Sequence, residues 1–236
     1  MQENPPGIFR RSSAELPPAA RFSCISEGGA YPRGMEIDPS AVIWNRDDRE
    51  GRPLLLVLHG LGANEQDLLP VVSMLPPDLA IGSVRAPIAF PPGWSWFPPE
   101  QTAELPAQVD DAADAVIRFI EAQPAPSSVG VLGFSQGGAI AVHVLRRRPE
   151  LLDYAVSLAG FLPGQADDAA LGAIRPPLLV GYGLADEVVP PEWNTMLVEW
   201  ARPLTALEER TYPGLPHAIS EQEIADAAAF IEAHAG

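Results

Sequence analysis

Short, continuous apolar runs recur along the chain, and each alternates with a segment of helical spacing. A run of this kind is typical of a strand in a parallel sheet, because the helices that connect parallel strands cover both faces. The predicted strands of this type are 53–60, 80–87, 128–134, 154–160 and 177–183, and a further strand is predicted at 207–214. The predicted helices are 64–75, 105–124, 136–148, 191–201 and 220–235. The alternation predicts an α/β protein with a mostly parallel central sheet and helices on both faces.

The two ends of this pattern bound the domain. Residues 1–20 are rich in proline, serine and arginine, which predicts a flexible N-terminal arm. No linker divides residues 21–236, so a single domain is expected there. Segments 21–26 and 41–45 are predicted as an antiparallel pair of strands. The proline-rich segment 88–100 is predicted as one long irregular insert, and long loops in compact domains are often functional.

The charge balance excludes several classes of partner. The formal net charge is -16, from 15 basic and 31 acidic residues. Such an excess repels nucleic acids and anionic membrane surfaces, so neither is expected as a direct ligand. Every basic residue is arginine, which excludes Schiff-base lysines, P-loop lysines and Ser-Lys dyads.

The single cysteine, Cys24, excludes a disulfide within the chain and a cysteine-rich metal site. No apolar run approaches the roughly 18 residues that a membrane span requires. The N-terminal segment also lacks the apolar core of a signal peptide. We therefore expect a cytoplasmic protein without integral membrane association, and a homodimer stays open.

A glycine-flanked serine between a predicted strand and a predicted helix is the strongest functional motif. The segment "GFSQGG" places Ser135 between 128–134 and 136–148, with Gly133 and Gly137 on either side. In this G-x-S-x-G pattern the serine lies on a strained turn that projects its hydroxyl from the strand end. Glycine removes side chains that would clash there, and the helix N-terminus adds positive partial charge. Ser135 is therefore predicted to be a nucleophile.

Two other interpretations of this segment stay open. The first is a tight strand–helix turn that contains an incidental serine. The second is a Rossmann-type phosphate turn, which expects G-x-G-x-x-G. Here Phe134 and Ser135 stand where the second glycine of that motif would be.

A serine nucleophile needs a base and an orienting carboxylate, which follow it here in the order carboxylate, then histidine. His217 follows the last predicted strand, at the edge of the sheet where sites gather. His143 lies about two turns into the helix after the serine and so points away from its hydroxyl, which favours a structural role. His234 lies near the C-terminus. Asp186 follows a buried strand, although it could also be a turn former or a helix N-terminal charge. We predict His217 as the base and Asp186 as the carboxylate.

The oxyanion hole is predicted from the loop "LHGLGANEQDLLP". Backbone amides of this loop should join the amide of Gln136 around the developing negative oxygen. Gly60 and Gly62 permit close backbone approach, and Leu61 between them is the expected donor. His59 precedes the nucleophile in the chain and is expected to brace the loop. No H-E-x-x-H pattern occurs among the scattered histidines, so no metal is expected.

Four segments in this order and spacing resemble the phospholipase/carboxylesterase group of α/β-hydrolases: "LHGLGANEQDLLPV", "GFSQGG", "GLADEVVP" and "GLPHAIS". The resemblance covers about residues 50 to 234 and is closer to the bacterial esterase branch than to the protein-depalmitoylating branch. It implies an α/β-hydrolase fold, a triad of Ser135, Asp186 and His217, and oxyanion amides from Leu61 and Gln136.

The resemblance also extends to the aromatic segment "WSWF" at 94–97. In the family an aromatic loop lies near the acyl pocket, which implies that Trp96 and Phe97 contact substrate. The alternative is that these side chains only anchor a proline-rich loop.

The implied reaction is hydrolysis of a small-molecule acyl ester by a serine carboxylesterase that needs no cofactor. A thioesterase or a lysophospholipase would use the same residues, and so would a cofactor-free haloperoxidase-like enzyme or a C–C hydrolase. A non-catalytic binding protein with this fold is a further alternative. Acyl length and leaving group are not encoded in the motifs.

Overall fold

A seven-stranded sheet lies at the centre of the computed structural model, which describes residues 34–100, 105–163 and 168–236. In spatial order its strands are Ile43–Trp44 (β1), Ala80–Val84 (β3), Leu54–Leu58 (β2), Val129–Phe134 (β6), Tyr154–Leu158 (β7), Pro177–Gly183 (β8) and Ala206–Tyr212 (β9). β1 pairs antiparallel with β3, and every other neighbouring pair is parallel. The predicted mostly parallel sheet is confirmed.

Helices cover both faces of this sheet. They are Leu69–Val72 (α1), Leu105–Glu121 (α2), Gln136–Arg147 (α3), Ala169–Ile174 (α4), Pro191–Ala201 (α5) and Glu221–His234 (α6). β2 shows why two covering layers are needed, because all five of its residues are buried. Leu54, Leu56 and Leu58 pack in a core with α2, α3 and α5, whereas Leu55 and Val57 pack in a second core with α1 and α6. The apolar runs that form β2, β3, β6, β7 and β8 are therefore strands buried on both faces, whereas the more polar β9 at the sheet edge is half-buried to exposed.

The proline-rich insert 88–100 is more regular than predicted. It contains a two-stranded antiparallel hairpin, Ile88–Phe90 (β4) and Gly93–Ser95 (β5). Pro91 and Pro92 lie in the turn between the strands, where no amide is needed for the ladder. The prediction of an irregular loop is wrong for this part of the insert.

The predicted helix 64–75 is also wrong in extent, because only α1 is α-helical. Side chains compete with the helix upstream of it: Asp67 accepts from the amide of Asn64 at 2.7 Å, and Asn64 accepts from the amide of Gln66 at 2.8 Å. Pro70, which lacks an amide hydrogen, then lies in the first turn of α1. The short helix α4 was not predicted from the sequence.

The predictions for the N-terminal part of the chain fall partly outside the described residues. The arm at 1–20 and the strand at 21–26 lie outside the described residues. Segment 41–45 contributes β1, whose partner is β3. The described residues belong to one compact unit.

Candidate active site

Parallel strands bring the predicted site residues to one edge of the sheet. Ser135 follows β6 directly, Asp186 follows β8 and His217 follows β9, so all three lie beyond carboxyl ends of parallel strands. Leu61 lies beyond the carboxyl end of β2, the neighbour of β6. This edge is where open α/β sheets bind their ligands.

Ser135 occupies a sharp turn between β6 and α3. Its φ of 56° and ψ of -117° lie in a region that non-glycine residues rarely adopt. The Ser135 amide donates to the carbonyl oxygen of Leu158 at 2.8 Å, which holds the turn against β7. A β-carbon at Gly133 would overlap the backbone of Gly137, and one at Gly137 would overlap the carbonyl oxygen of Leu58. The two glycines provide clearance for the turn, as the motif predicts.

The structure brings Ser135, His217 and Asp186 into one hydrogen-bonded chain. His217 Nε2 lies 3.0 Å from Ser135 Oγ, and His217 Nδ1 lies 2.7 Å from Asp186 Oδ2. Asp186 is buried, and its Oδ1 accepts from the amides of Val188 at 2.8 Å and Val189 at 2.9 Å. Because the carboxylate accepts the Nδ1 proton, Nε2 is left to accept the serine proton. The arrangement can therefore activate a serine nucleophile.

Neighbouring contacts hold the histidine loop beside the aspartate loop. The amide of Leu184 donates to Tyr212 at 3.1 Å, and the amide of Ala185 donates to Leu215 at 3.1 Å. The ring of His217 also packs on Phe134, with 4.8 Å between ring centroids. These contacts limit the positions that the ring of His217 can take.

The loop after β2 passes close to the nucleophile. A β-carbon at Gly60 would lie 3.4 Å from the β-carbon of Ser135. Two residues later, the amide of Gly62 donates to the carbonyl oxygen of Trp94 at 2.8 Å. Leu61 lies between these two contacts, on the side of the site expected to bind an oxyanion.

Gln136 is the first residue of α3, so its amide has no acceptor within the helix. Sequence analysis gave a role only to its backbone amide, but just 4% of the residue is exposed and the side-chain carboxamide makes well-defined contacts. The Oε1 atom accepts from the amide of Trp96 at 2.9 Å and from Ser95 Oγ at 3.2 Å. The Nε2 atom donates to the carbonyl oxygen of Phe97 at 2.7 Å. No local pattern could predict these contacts, because their partners lie about 40 positions away in the chain.

The aromatic side chains implied to contact substrate lie inside the protein. Trp96 is fully buried, and its indole Nε1 donates to the carbonyl oxygen of His59 at 2.8 Å. Phe97 is 5% exposed and meets Phe161 edge-on, with 6.3 Å between ring centroids. The contacts of Trp96 correspond to the anchoring alternative, since a fully buried side chain presents no surface to a ligand.

The remaining buried histidines make structural contacts. His59 Nε2 accepts from the amide of Ala86 at 3.1 Å, so its Nδ1 donates to the carbonyl oxygen of Gly60 at 2.7 Å. His143 Nε2 lies 2.6 Å from Asp110 Oδ1 and links α3 to α2. Burial lowers the pKa of both histidines, because the charged form would be poorly solvated. His59 therefore braces the loop after β2 as a neutral ring.

An ion pair that the motifs did not single out braces the same loop. Glu65 is 5% exposed and faces Arg85, whose Nε donates to Glu65 Oε2 at 2.7 Å. The guanidinium also lies over the ring of Trp94, 4.8 Å from its centroid. Arg85 holds the pKa of Glu65 below its ordinary value by donating to the carboxylate. The pair ties the loop after β2 to the end of β3 and to the hairpin.

Metal ligation and membrane crossing find no support in the described residues. In segments 34–100, 105–163 and 168–236, no group of three or more histidine, cysteine, aspartate or glutamate side chains could hold a metal ion. Within the same segments, every helix is too short or too polar to cross a membrane.

Similarity to known proteins extends over most of the chain. The family model described as Phospholipase/Carboxylesterase matches residues 39–235. Acyl-protein thioesterase 1 of Mycosarcoma maydis is 27% identical over 234 residues, which cover 84% of this chain and 98% of that protein. The crystal structure of esterase PE8 superposes with a TM-score of 0.70 at 23% identity, covering 85% of this chain and 99% of that one. Acyl-protein thioesterase 2 of Zea mays gives a TM-score of 0.68 at 23% identity, with 83% and 99% covered.

Proposed function

The chain belongs to the phospholipase/carboxylesterase family of α/β-hydrolases, and we propose that it is a serine carboxylesterase that hydrolyses small acyl esters. One observation carries the proposal: the hydrogen-bonded chain from Ser135 Oγ through His217 to Asp186. Its members follow one another in the order expected of this fold and meet at the sheet edge where ligands bind.

Acylation begins at Ser135. The Oγ atom attacks the ester carbonyl carbon while His217 Nε2, 3.0 Å away, takes the hydroxyl proton. Asp186 accepts from Nδ1 throughout, which keeps the imidazole in the required tautomer and stabilises its positive charge. His217 then gives the proton to the leaving alcohol, and an acyl-serine ester remains.

Backbone amides stabilise the negative oxygen of the tetrahedral intermediate. We assign this role to the amides of Leu61, in the loop after β2, and of Gln136, at the start of α3. The α3 N-terminus adds its positive partial charge at the same place. Removal of one such donor costs about 10²- to 10³-fold in kcat in serine hydrolases.

Deacylation repeats the steps with water as the nucleophile. His217 takes a proton from water, the resulting hydroxide attacks the acyl carbon, and Ser135 leaves with the proton that His217 returns. The free acid is the second product. These reaction steps use only side chains and backbone amides, so we propose that no cofactor takes part. As a separate proposal, we place the reaction in the cytoplasm.

A thioesterase is the second candidate function. The relative from Mycosarcoma maydis is named an acyl-protein thioesterase, and the same acyl-serine intermediate forms from a thioester. An acyl-length series of nitrophenyl esters, followed by thioesters with the same acyl groups, separates the two functions by their kcat/KM values. A lysophospholipid with a matching acyl chain tests the third substrate class in the same assay.

Ser135→Ala tests the proposal directly. Loss of the nucleophile should lower kcat for a nitrophenyl ester by about 10⁴-fold or more, because the acyl-enzyme cannot form. Labelling by a fluorophosphonate probe should disappear with it. Thermal unfolding should change little, since alanine removes only the hydroxyl.

Ser127→Ala is the matched control, because Ser127 is exposed in the loop before β6. This variant should keep wild-type turnover and labelling. Unchanged hydrolysis by Ser135→Ala, or a wild-type protein that neither reacts with the probe nor hydrolyses any ester, would contradict the proposal. The second outcome would instead support a non-catalytic binding protein.

A further inference from the structure

The segment Trp94–Phe97 bridges the two sides of the proposed oxyanion hole, and we refer to it as the strut. It begins in β5, within the hairpin that follows β3. One side of the strut contacts the loop that carries Leu61, and the other side contacts the side chain of Gln136. Leu61 and Gln136 belong to different strand ends, so local chain geometry alone does not set the spacing between their amides.

Three hydrogen bonds join the strut to the loop after β2. The amide of Gly62 donates to Trp94 at 2.8 Å, and the amide of Trp94 donates to Ala63 at 2.9 Å. The indole Nε1 of Trp96 donates to the carbonyl oxygen of His59 at 2.8 Å. These contacts lie on both sides of Leu61 in the sequence, so the strut holds the loop before and after the proposed donor.

The other side of the strut is bound by the carboxamide of Gln136. Its Oε1 accepts from the amide of Trp96 at 2.9 Å, and its Nε2 donates to the carbonyl oxygen of Phe97 at 2.7 Å. Glutamine satisfies both because it presents a donor and an acceptor on one planar group. The residue that offers the second proposed oxyanion amide therefore also grips the strut.

Burial makes this connection stiff. Trp96 is 0% exposed, Ser95 1% and Gln136 4%, so water cannot compete for these hydrogen bonds. A buried donor or acceptor that loses its partner carries the full cost of desolvation, which keeps each contact formed. Trp96 in particular fills the space between the loop after β2 and the start of α3.

We infer that Trp96 and the side chain of Gln136 are positioning residues that fix the spacing between the Leu61 and Gln136 amides. The inference rests on the proposed function, because it assigns those amides to the oxyanion hole. Oxyanion donors must lie about 2.7–3.1 Å from the position of the developing charge. A displacement of about 1 Å can lower a rate by about 10²-fold. The strut thus acts on the reaction without touching the substrate.

Trp96→Phe tests the inference by keeping an aromatic ring while it removes the indole hydrogen bond to His59 and part of the ring volume. Trp200→Phe is the matched control, because it also removes one indole hydrogen bond of 2.8 Å, here to Asp168. We expect Trp96→Phe to lower kcat for a nitrophenyl ester about 10- to 100-fold, with KM changed less than about threefold. Trp200→Phe should leave both constants near wild type.

Active-site titration separates positioning from a merely structural role. The burst of nitrophenol counts the competent sites, so kcat is expressed per titrated site. A fall in kcat per site supports positioning. A fall only in the number of sites, with kcat per site unchanged, overturns the inference. Gln136→Met, which keeps the backbone amide and the chain length, provides a second variant and should show the same fall.

Hydrogen exchange tests the strut without any turnover. The Gly62 amide, bonded to Trp94, should exchange at least about tenfold faster in Trp96→Phe than in Trp200→Phe if the strut holds the loop. Equal exchange in both variants overturns the inference. A wild-type protein that hydrolyses no ester would contradict the proposed function. The exchange comparison would then still test whether the strut holds the loop after β2.

Discussion

Two buried carboxyl groups lie near the carboxyl end of β8, and they differ in their hydrogen bonds. Asp186 is 4% exposed, and Glu223, in the first turn of α6, is 1% exposed. Asp186 accepts from His217 and from two backbone amides. Neither carboxyl oxygen of Glu223 has a hydrogen-bond partner in the described part of the chain. Similar burial thus accompanies a fully bonded carboxylate in one region and an unpartnered acid in the other.

The lack of partners changes the chemistry of Glu223. Burial raises its pKa from 4.5 to about 7, and the negative charges of Asp226 and Asp186 add to the effect. Its Oε1 lies 2.9 Å from the position that a β-carbon on Gly181 would occupy, so the side chain turns inward over β8. Because the two groups are buried to a similar degree, hydrogen bonding accounts for the difference between a carboxylate that binds His217 and an acid that stays neutral below about pH 7.

Asp186→Asn should have the largest effect on activity, because it changes the carboxylate that is hydrogen-bonded to His217. The asparagine NH₂ group can donate to His217 Nδ1, which forces the ring proton onto Nε2 and leaves no acceptor for the serine proton. We expect kcat for a nitrophenyl ester to fall by about 10³- to 10⁴-fold. Steady-state kinetics on the titrated enzyme measure this fall.

The same variant should leave the fold intact, because the asparagine carbonyl oxygen still accepts from Val188 and Val189. Glu187→Asn is the control, since Glu187 is adjacent and exposed. Near-normal turnover in Asp186→Asn would contradict the role proposed for Asp186. A comparable loss in Glu187→Asn would show that the loop, and not the carboxylate, is what matters.

Glu223→Gln should have the next largest effect, on stability rather than on activity. The folded-state pKa of Glu223 is raised, so its stability contribution is full below about pH 4.5 and is lost as pH rises to about 7. That interval corresponds to roughly 3 kcal/mol. Glutamine carries no charge, so the variant should exceed the wild type in free energy of unfolding by about 2–3 kcal/mol at pH 8 and by little at pH 4.5.

Urea unfolding at a series of pH values measures this difference. Glu221→Gln, in the same turn but exposed, is the matched control and should differ little from the wild type across that range. A Glu223→Gln curve that runs parallel to the wild-type curve would show that Glu223 does not titrate between pH 4.5 and 7. The kcat of Glu223→Gln should stay near wild type, in contrast with Asp186→Asn.

What could be predicted from the sequence follows the range of the interactions involved. The turn at Ser135 and the loop positions of Asp186 and His217 were predictable, because glycine spacing and strand ends are local features. The hydrogen bonds between the Gln136 side chain and the strut were not predictable, because the partners lie about 40 residues away in the chain. The same holds for Trp96, whose aromatic motif suggested a ligand contact while its buried indole binds His59.

The first turn of α6 shows the same limit on a smaller scale. Ser220 and Glu223 have the spacing of a capping box, in which each side chain bonds the backbone of the other. Ser220 Oγ accepts from the amide of Glu223 at 3.1 Å, so one half of the box is formed. The other half lacks normal hydrogen-bond geometry, because the Glu223 oxygens turn inward, although the backbone amide of Ser220 partly opposes the rise in the Glu223 pKa. The spacing of the two residues is enough to indicate the Ser220 cap, whereas the direction of the Glu223 side chain depends on packing in the folded protein.

Ser220→Ala should have the smallest effect on stability, and it tests whether the helix cap contributes to the difference between Asp186 and Glu223. Loss of the cap should lower the free energy of unfolding by about 1 kcal/mol, measured by urea unfolding against Ser127→Ala. The loss should be the same at pH 5 and pH 8, because burial and not the cap raises the pKa of Glu223. If the free energy lost in Ser220→Ala changes with pH, the cap holds Glu223 in its unpartnered position. The difference between the environments of Asp186 and Glu223 would then depend on the cap of α6.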